Sequence, residues 1–180
     1  MATLKIPITS VDHCQGPESS EVTLTEYGDY ECPHCGRAYP IVKRVQRHFG
    51  KRLRFVFRNF PLGEMHPHAE AAAETAEFAG THGKFWEMHD LLFEHQERLS
   101  VQLFLELAQE LELPATALRQ ALEVGEFKAR VRGDFTGGVR SGVNGTPTFF
   151  INGRRHDGPF DFESLVTAME AATREAKSAA

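Results

Sequence analysis

Three cysteines in 180 residues are too few, and of the wrong parity, for a disulfide-stapled scaffold. No apolar run comes near the ~18 residues that cross a bilayer, so no membrane insertion is expected. Acidic residues outnumber basic ones, 25 to 20, and the net charge of −5 speaks against a nucleic-acid partner. The short basic stretch from Lys43 to Arg58 reads as the solvated side of a helix and strand. The N-terminus has one lysine before residue 10 and no sustained apolar segment, so it does not read as a secretory signal. A cytoplasmic protein is the expectation, or an extracytoplasmic one whose signal has been removed. There is no internal repeat or low-complexity linker, and the length suits one domain with an insertion.

What is present is Cys32-Pro33-His34-Cys35, set between a strand-like run, Val22 to Tyr27, and a helical apolar pattern. A helix start offers unpaired backbone N–H groups and the positive end of the helix dipole, both of which favour an anion. Thiols so placed in such motifs titrate at about 3.5–7.5, against about 8.5 for free cysteine. Cys32 is therefore expected to be largely ionised at neutral pH. The alternation Val22, Leu24, Glu26 puts a carboxylate on an apolar strand face and predicts that Glu26 is partly buried.

Downstream, Ala38, Ile41, Val42, Val45 and Phe49 line one face of a helix that Pro40 should kink and Gly50 can end. Leu53 to Phe57, apolar on both faces, suits a central strand, which completes a βαβ unit. The middle is helical: Ala69 to Phe78, Lys84 to Glu97, a segment after Ser100 as N-cap, another opened by Pro114, and Phe127 to Phe135 running toward Gly137-Gly138. Thr148 to Ile151, the turn Asn152-Gly153 and Arg154 to Asp157 predict a hairpin, followed by a closing helix capped by Asp161.

A βα unit bearing C-x-x-C, followed by a ββα unit whose first strand follows Thr-Pro, resembles the thioredoxin fold. The helical block between the halves resembles the insertion of the DsbA-like thiol–disulfide oxidoreductases. The resemblance rests on Glu26, the Cys32 to Cys35 quartet, Pro40, Gly83-Lys84-Phe85-Trp86 and Gly145-Thr146-Pro147-Thr148. It implies an α/β thioredoxin fold, βαβ plus ββα, with an inserted helical subdomain. Residues 1–20 would be an N-terminal extension, 21–63 and 126–180 the thioredoxin-like domain, and 64–125 the insertion.

The same resemblance implies roles. Cys32 would be the exposed attacking thiol and Cys35 the resolving one, with Pro33 and His34 tuning the pair and His34 stabilising the Cys32 thiolate. Pro147 would follow a cis peptide bond, and the backbone of Thr146 would pair with an extended substrate segment. Glu26 would exchange a proton with Cys35. Implied partners are substrate proteins or small thiols and disulfides, plus an unidentified recycling partner. No organic cofactor and no metal are implied beyond the redox-active pair itself.

Other readings stay open. Cys14, Cys32 and Cys35 with His13 or His34 have the types for a Cys₃His zinc site, although a second paired knuckle is lacking. A redox-inactive peptide-binding or chaperone module would not need both cysteines. Cys14 reads as an inert thiol ahead of a glutathionylation site or a third redox partner, His66-Pro67-His68 as a structural or solvent-facing loop, and Phe85, Trp86 and Met88 as core of the insertion. Asn144-Gly145-Thr146 matches a glycosylation sequon by chance.

Overall fold

The structure, a computed structural model, describes residues 2–178. In chain order the elements are β1 (His13–Gln15), β2 (Val22–Gly28), α1 (Pro33–Phe49), β3 (Leu53–Asn59), α2 (Ala69–Thr81), α3 (Phe85–Glu94), α4 (Val101–Glu110), α5 (Ala115–Val124), α6 (Lys128–Arg140), β4 (Thr148–Ile151), β5 (Arg154–His156) and α7 (Phe162–Ser178). By compactness the chain forms two units: Met1–Gly28, Arg37–Arg58 and Gly137–Ala180 in the first, Asp29–Gly36 and Asn59–Thr136 in the second.

The first unit is built on a sheet of order β1-β3-β2-β4-β5. β2 and β3, joined through α1, lie side by side, while β4 runs antiparallel to β2 with Glu26 opposite Phe149. The expected one-sided alternation of β2 gives way to burial on both faces, Thr25 and Tyr27 included. Leu24, Phe55, Phe57, Phe150, Leu165 and Met169 form its apolar core. Each such side chain contributes about 1.5–3 kcal/mol when fully buried. At the β4–β5 hairpin, Asn152 and Gly153 both take positive φ, 46° and 76°, as a type I′ turn requires. Asp161 caps α7 by accepting the Ser164 N–H at 3.0 Å.

β1 is an edge strand absent from the sequence reading, because three residues are too short to show a period. α1 is continuous through Pro40. Arg58, expected on a solvated face, is instead 3% exposed. It donates to Asp12 at 2.7 Å and 3.0 Å, to the Ile6 and Pro7 carbonyls and to the Tyr27 hydroxyl. A guanidinium is tolerated in such a place only when its donors are this well matched.

In the second unit α2 packs against α3, α4 and α5. Met88, Leu92, Phe104 and Leu118 are fully buried, and Phe60 stacks on Phe135 with ring centroids 4.3 Å apart. Ser100 caps α4 through its hydroxyl, which accepts the Leu103 N–H at 3.1 Å. Phe85 and Met88 are core, but Trp86 is only half-buried, edge-on to Phe85 and His89. α6 runs on through Gly137 and Gly138 to Arg140. In the first unit, a Cβ on Gly137 would come within 3.1 Å of Ile6, so close packing favours glycine there.

Candidate active site

The chain leaves β2 at Gly28 and reaches the cysteines after a tight loop. That loop closes on itself: Asp29 C=O accepts the Cys32 N–H at 3.2 Å, and Cys32 C=O accepts the Gly36 N–H at 3.0 Å as the first helical bond of α1. Cys32 thus stands at the cap position, Pro33 takes the first helical position, where its missing N–H costs nothing, and Cys35 falls on the first turn. Both sulfur-bearing residues lie where the helix dipole favours negative charge.

Cys35 is completely buried, and the Asp29 backbone N–H points at its sulfur, 3.4 Å away. Cys32, expected to be exposed, is only 4% accessible. The loop is held tightly around it: besides the two backbone bonds, the Gln96 side-chain amide donates to the Tyr30 and Cys32 carbonyls at 2.7 Å and 2.9 Å. Gly36 makes room for that clamp, since a Cβ there would sit 2.1 Å from Gln96 Oε1. Pro33 and His34 are exposed.

Asp29 organises the rest of the loop. Its carboxylate accepts the Glu31 N–H at 2.8 Å and the Leu62 N–H at 2.9 Å, and meets His66 Nδ1 at 2.7 Å. Burial pulls the His66 pKa down, but the Asp29 hydrogen bond and charge, then the charges of Cys32 and Glu31, outweigh it and hold the imidazole above its ordinary value. His68 likewise meets Glu31, Nδ1 to Oε1 at 2.9 Å. The His-Pro-His loop is thus tied down by the two acids just before Cys32. The sequence reading passed over Asp29, Gln96 and these pairings, which join residues 37 to 66 positions apart.

The remaining sequence-predicted residues belong to the first unit. Glu26 is more deeply buried than expected, 3% exposed, in the middle of β2. The Thr146–Pro147 peptide bond is cis and leads directly into β4, whose Thr148 pairs with Tyr27. The Thr-Pro loop thus lies at the Tyr27 end of the β2–β4 ladder, one pair beyond Glu26. Cys14, on β1, receives an Arg54 N–H at 3.5 Å. Burial raises its pKa, only partly offset by Arg54, so the thiol stays protonated at neutral pH and reacts slowly. Among the described residues no group of three or more His, Cys, Asp or Glu is arranged to hold a metal ion.

A family model described as Thioredoxin matches residues 9–171. The chain is 45% identical over 161 residues to a Na(+)/H(+) antiporter NhaA 1 of Salinispora arenicola, covering 89% of this chain and 24% of that protein. It therefore spans about a quarter of the length of that curated relative. Among the described residues, no helix is long and apolar enough to cross a membrane. The fold is similar to that of oxidised BdbD from Bacillus subtilis, with a TM-score of 0.86 at 23% identity over 96% of this chain and 98% of that one. A thioredoxin-like oxidoreductase from Silicibacter pomeroyi DSS-3 matches with a TM-score of 0.76 at 27% identity, covering 96% of this chain and 95% of that one.

Proposed function

Since the chain belongs to the thioredoxin family, we propose that it is a DsbA-like protein thiol–disulfide oxidoreductase acting through Cys32 and Cys35. One observation carries this reading: C-x-x-C opens α1, with the second sulfur fully buried and touched by a backbone N–H, the first at the helix cap. Of two buried sulfurs, the slightly accessible one at the cap suits exchange with a substrate and the fully enclosed one suits resolution from within.

In the oxidising direction a substrate thiolate attacks the Cys32 sulfur of the Cys32–Cys35 disulfide. The S–S bond breaks, a mixed disulfide forms at Cys32, and Cys35 leaves as a thiolate that takes up a proton. A second substrate thiolate then attacks the substrate sulfur of the mixed disulfide, forming the product disulfide and releasing the Cys32 thiolate. The reductive direction runs these steps backwards. The electrons are carried by the cysteine pair itself, so the reaction needs no organic cofactor or metal, but a partner thiol or disulfide must restore the pair after each turnover.

The family resemblance gives His34 the role of stabilising the Cys32 thiolate, Glu26 that of proton exchange for Cys35, and the Thr146 backbone that of pairing with an extended protein substrate. The test is substitution. Cys32→Ser abolishes insulin reduction and thiol oxidation, whereas Cys35→Ser accumulates a mixed disulfide because the resolving thiol is gone. Wild-type rates in Cys32→Ser would overturn the proposal. His34→Ala makes the couple more reducing, and Glu26→Gln slows resolution without blocking the first attack.

A further inference from the structure

The two acids just before Cys32 are matched, one for one, by the imidazoles of a single loop. Asp29 meets His66 and Glu31 meets His68, so an Asp-x-Glu alternation faces a His-x-His alternation fixed by Pro67. The loop is pre-formed: Leu62 C=O accepts the Met65 and His66 N–H groups, His66 C=O accepts that of Ala69, and Leu62 N–H is held by Asp29. The two pairs differ in burial. Asp29 is fully buried with His66 15% exposed, whereas Glu31 and His68 are 18% and 41% exposed.

Asp29 matters because its main chain touches both redox residues, through the Cys32 N–H and the Cys35 sulfur. A bare buried carboxylate at this point would oppose a neighbouring thiolate, since like charges disfavour ionisation of both. Its two backbone donors are neutral dipoles; the side chain on it that can carry full positive charge is His66. The groups acting on that imidazole are Asp29, Cys32 and Glu31, with His68 across Glu31.

We propose that His66 is a positioning residue for the redox centre: its imidazolium, held on Asp29, offsets that acid beside Cys32 and keeps its proton more tightly when Cys32 is a thiolate than when it is in a disulfide. The inference rests on the redox reading above. Reduction by two glutathione molecules transfers two electrons, breaks the Cys32–Cys35 bond and forms the S–S bond of oxidised glutathione. Of the two protons that the glutathione thiols lose, one ends on Cys35. The other is held by His66 or released to water, according to pH. Linkage makes the effect reciprocal: if the Cys32 charge favours protonated His66, protonated His66 favours the reduced pair.

The experiment has two arms. NMR titration of the His66 ring in the chemically oxidised and chemically reduced wild-type protein gives a higher midpoint in the reduced form. Equilibration with glutathione buffers shows His66→Gln, which keeps a donor toward Asp29 but loses the charge, shifted toward the disulfide by about three- to tenfold. The shift shrinks above the His66 midpoint, and His68→Gln, on the more exposed pair, shifts less. Identical His66 midpoints in the two redox forms overturn the proposal, as does a His66→Gln equilibrium equal to wild type at every pH. Should His66→Gln fail to fold, the wild-type titration decides alone. A wild-type protein that never equilibrates with glutathione refutes the redox reading instead, and the chemically prepared forms still show whether His66 senses the cysteines.

Discussion

Replacing Arg58 with methionine keeps the apolar stem and removes the guanidinium. In the folded protein that group is 3% exposed and forks onto an Asp12 carboxylate whose side chain is 6% exposed. It also satisfies the Ile6 and Pro7 carbonyls and the Tyr27 hydroxyl. Burial works against the arginine's charge, but the Asp12 and Tyr27 hydrogen bonds and charges outweigh it and raise the pKa further, so no accessible pH neutralises it. Breaking such a pair from one side costs about 3–5 kcal/mol, because the surviving carboxylate keeps its desolvation penalty without its counter-charge. Against a typical stability of about 5–15 kcal/mol this is severe. With a urea m-value of roughly 2 kcal/mol/M, the unfolding midpoint falls by about 2 M. The assay is equilibrium urea unfolding followed by circular dichroism, with Asp12→Leu and the double variant completing the cycle. The double variant regains stability relative to Arg58→Met, since replacing a whole buried pair by apolar groups is far cheaper than orphaning half of it. A single-variant loss below about 1 kcal/mol, or strictly additive effects, would refute the reasoning.

Glu74, in the middle of α2, has a buried Oε2 with no hydrogen-bond partner. Its pKa is raised, first by burial, with Glu70 adding to the rise and Lys128 and the Phe127 N–H opposing it. A carboxyl raised in the folded state loses stability as pH climbs from its ordinary range through the raised value, so Glu74→Met gains about 1–2 kcal/mol at neutral pH. The gain vanishes in acid; a pH-independent difference in urea unfolding counts against this account. Iodoacetamide should label Cys14 slowly at pH 7 and faster toward pH 9, as expected for a thiol raised by burial. Mass spectrometry of the labelled peptide checks it, and fast labelling at pH 7 contradicts it. Gly36→Ala drives Gln96 off the Tyr30 and Cys32 carbonyls, costing about 1–2 kcal/mol and altering the exchange rate. Gln96→Ala should reproduce both effects, and a divergent pair of phenotypes would show that the clamp is not what Gly36 preserves.

Much of the molecule is written in local chemistry. Pro33 after Cys32 marks the start of α1, Ser100 and Asp161 are read as caps because their side chains suit that position, and Asn152-Gly153 supplies the positive φ of its turn. These signals need no knowledge of the rest of the chain. What escaped depends on distant partners. β1 is too short to show a period, and Arg58 reads as surface until Asp12 and two carbonyls from the N-terminal segment arrive around it. Nothing local singles out Asp29 or Gln96, because the Leu62–His68 loop and the carbonyls of Tyr30 and Cys32 meet them only across long sequence separations. Gly36, directly after the motif, was the available hint that something packs tightly there. The matching spacing of Asp-x-Glu and His-x-His was visible too, but only the fold makes it a pairing.

The central claim, that Cys32 and Cys35 form a reversible redox couple, is tested most directly by equilibrating the protein in glutathione buffers of graded ratio and weighing it after acid quenching. The account predicts one two-electron transition, with the Cys32–Cys35 peptide losing two hydrogens in the oxidised form and regaining them on reduction, while Cys14 stays a thiol. A pair that remains reduced across the whole range, forms only monothiol glutathione adducts, or is locked by stoichiometric zinc would contradict it.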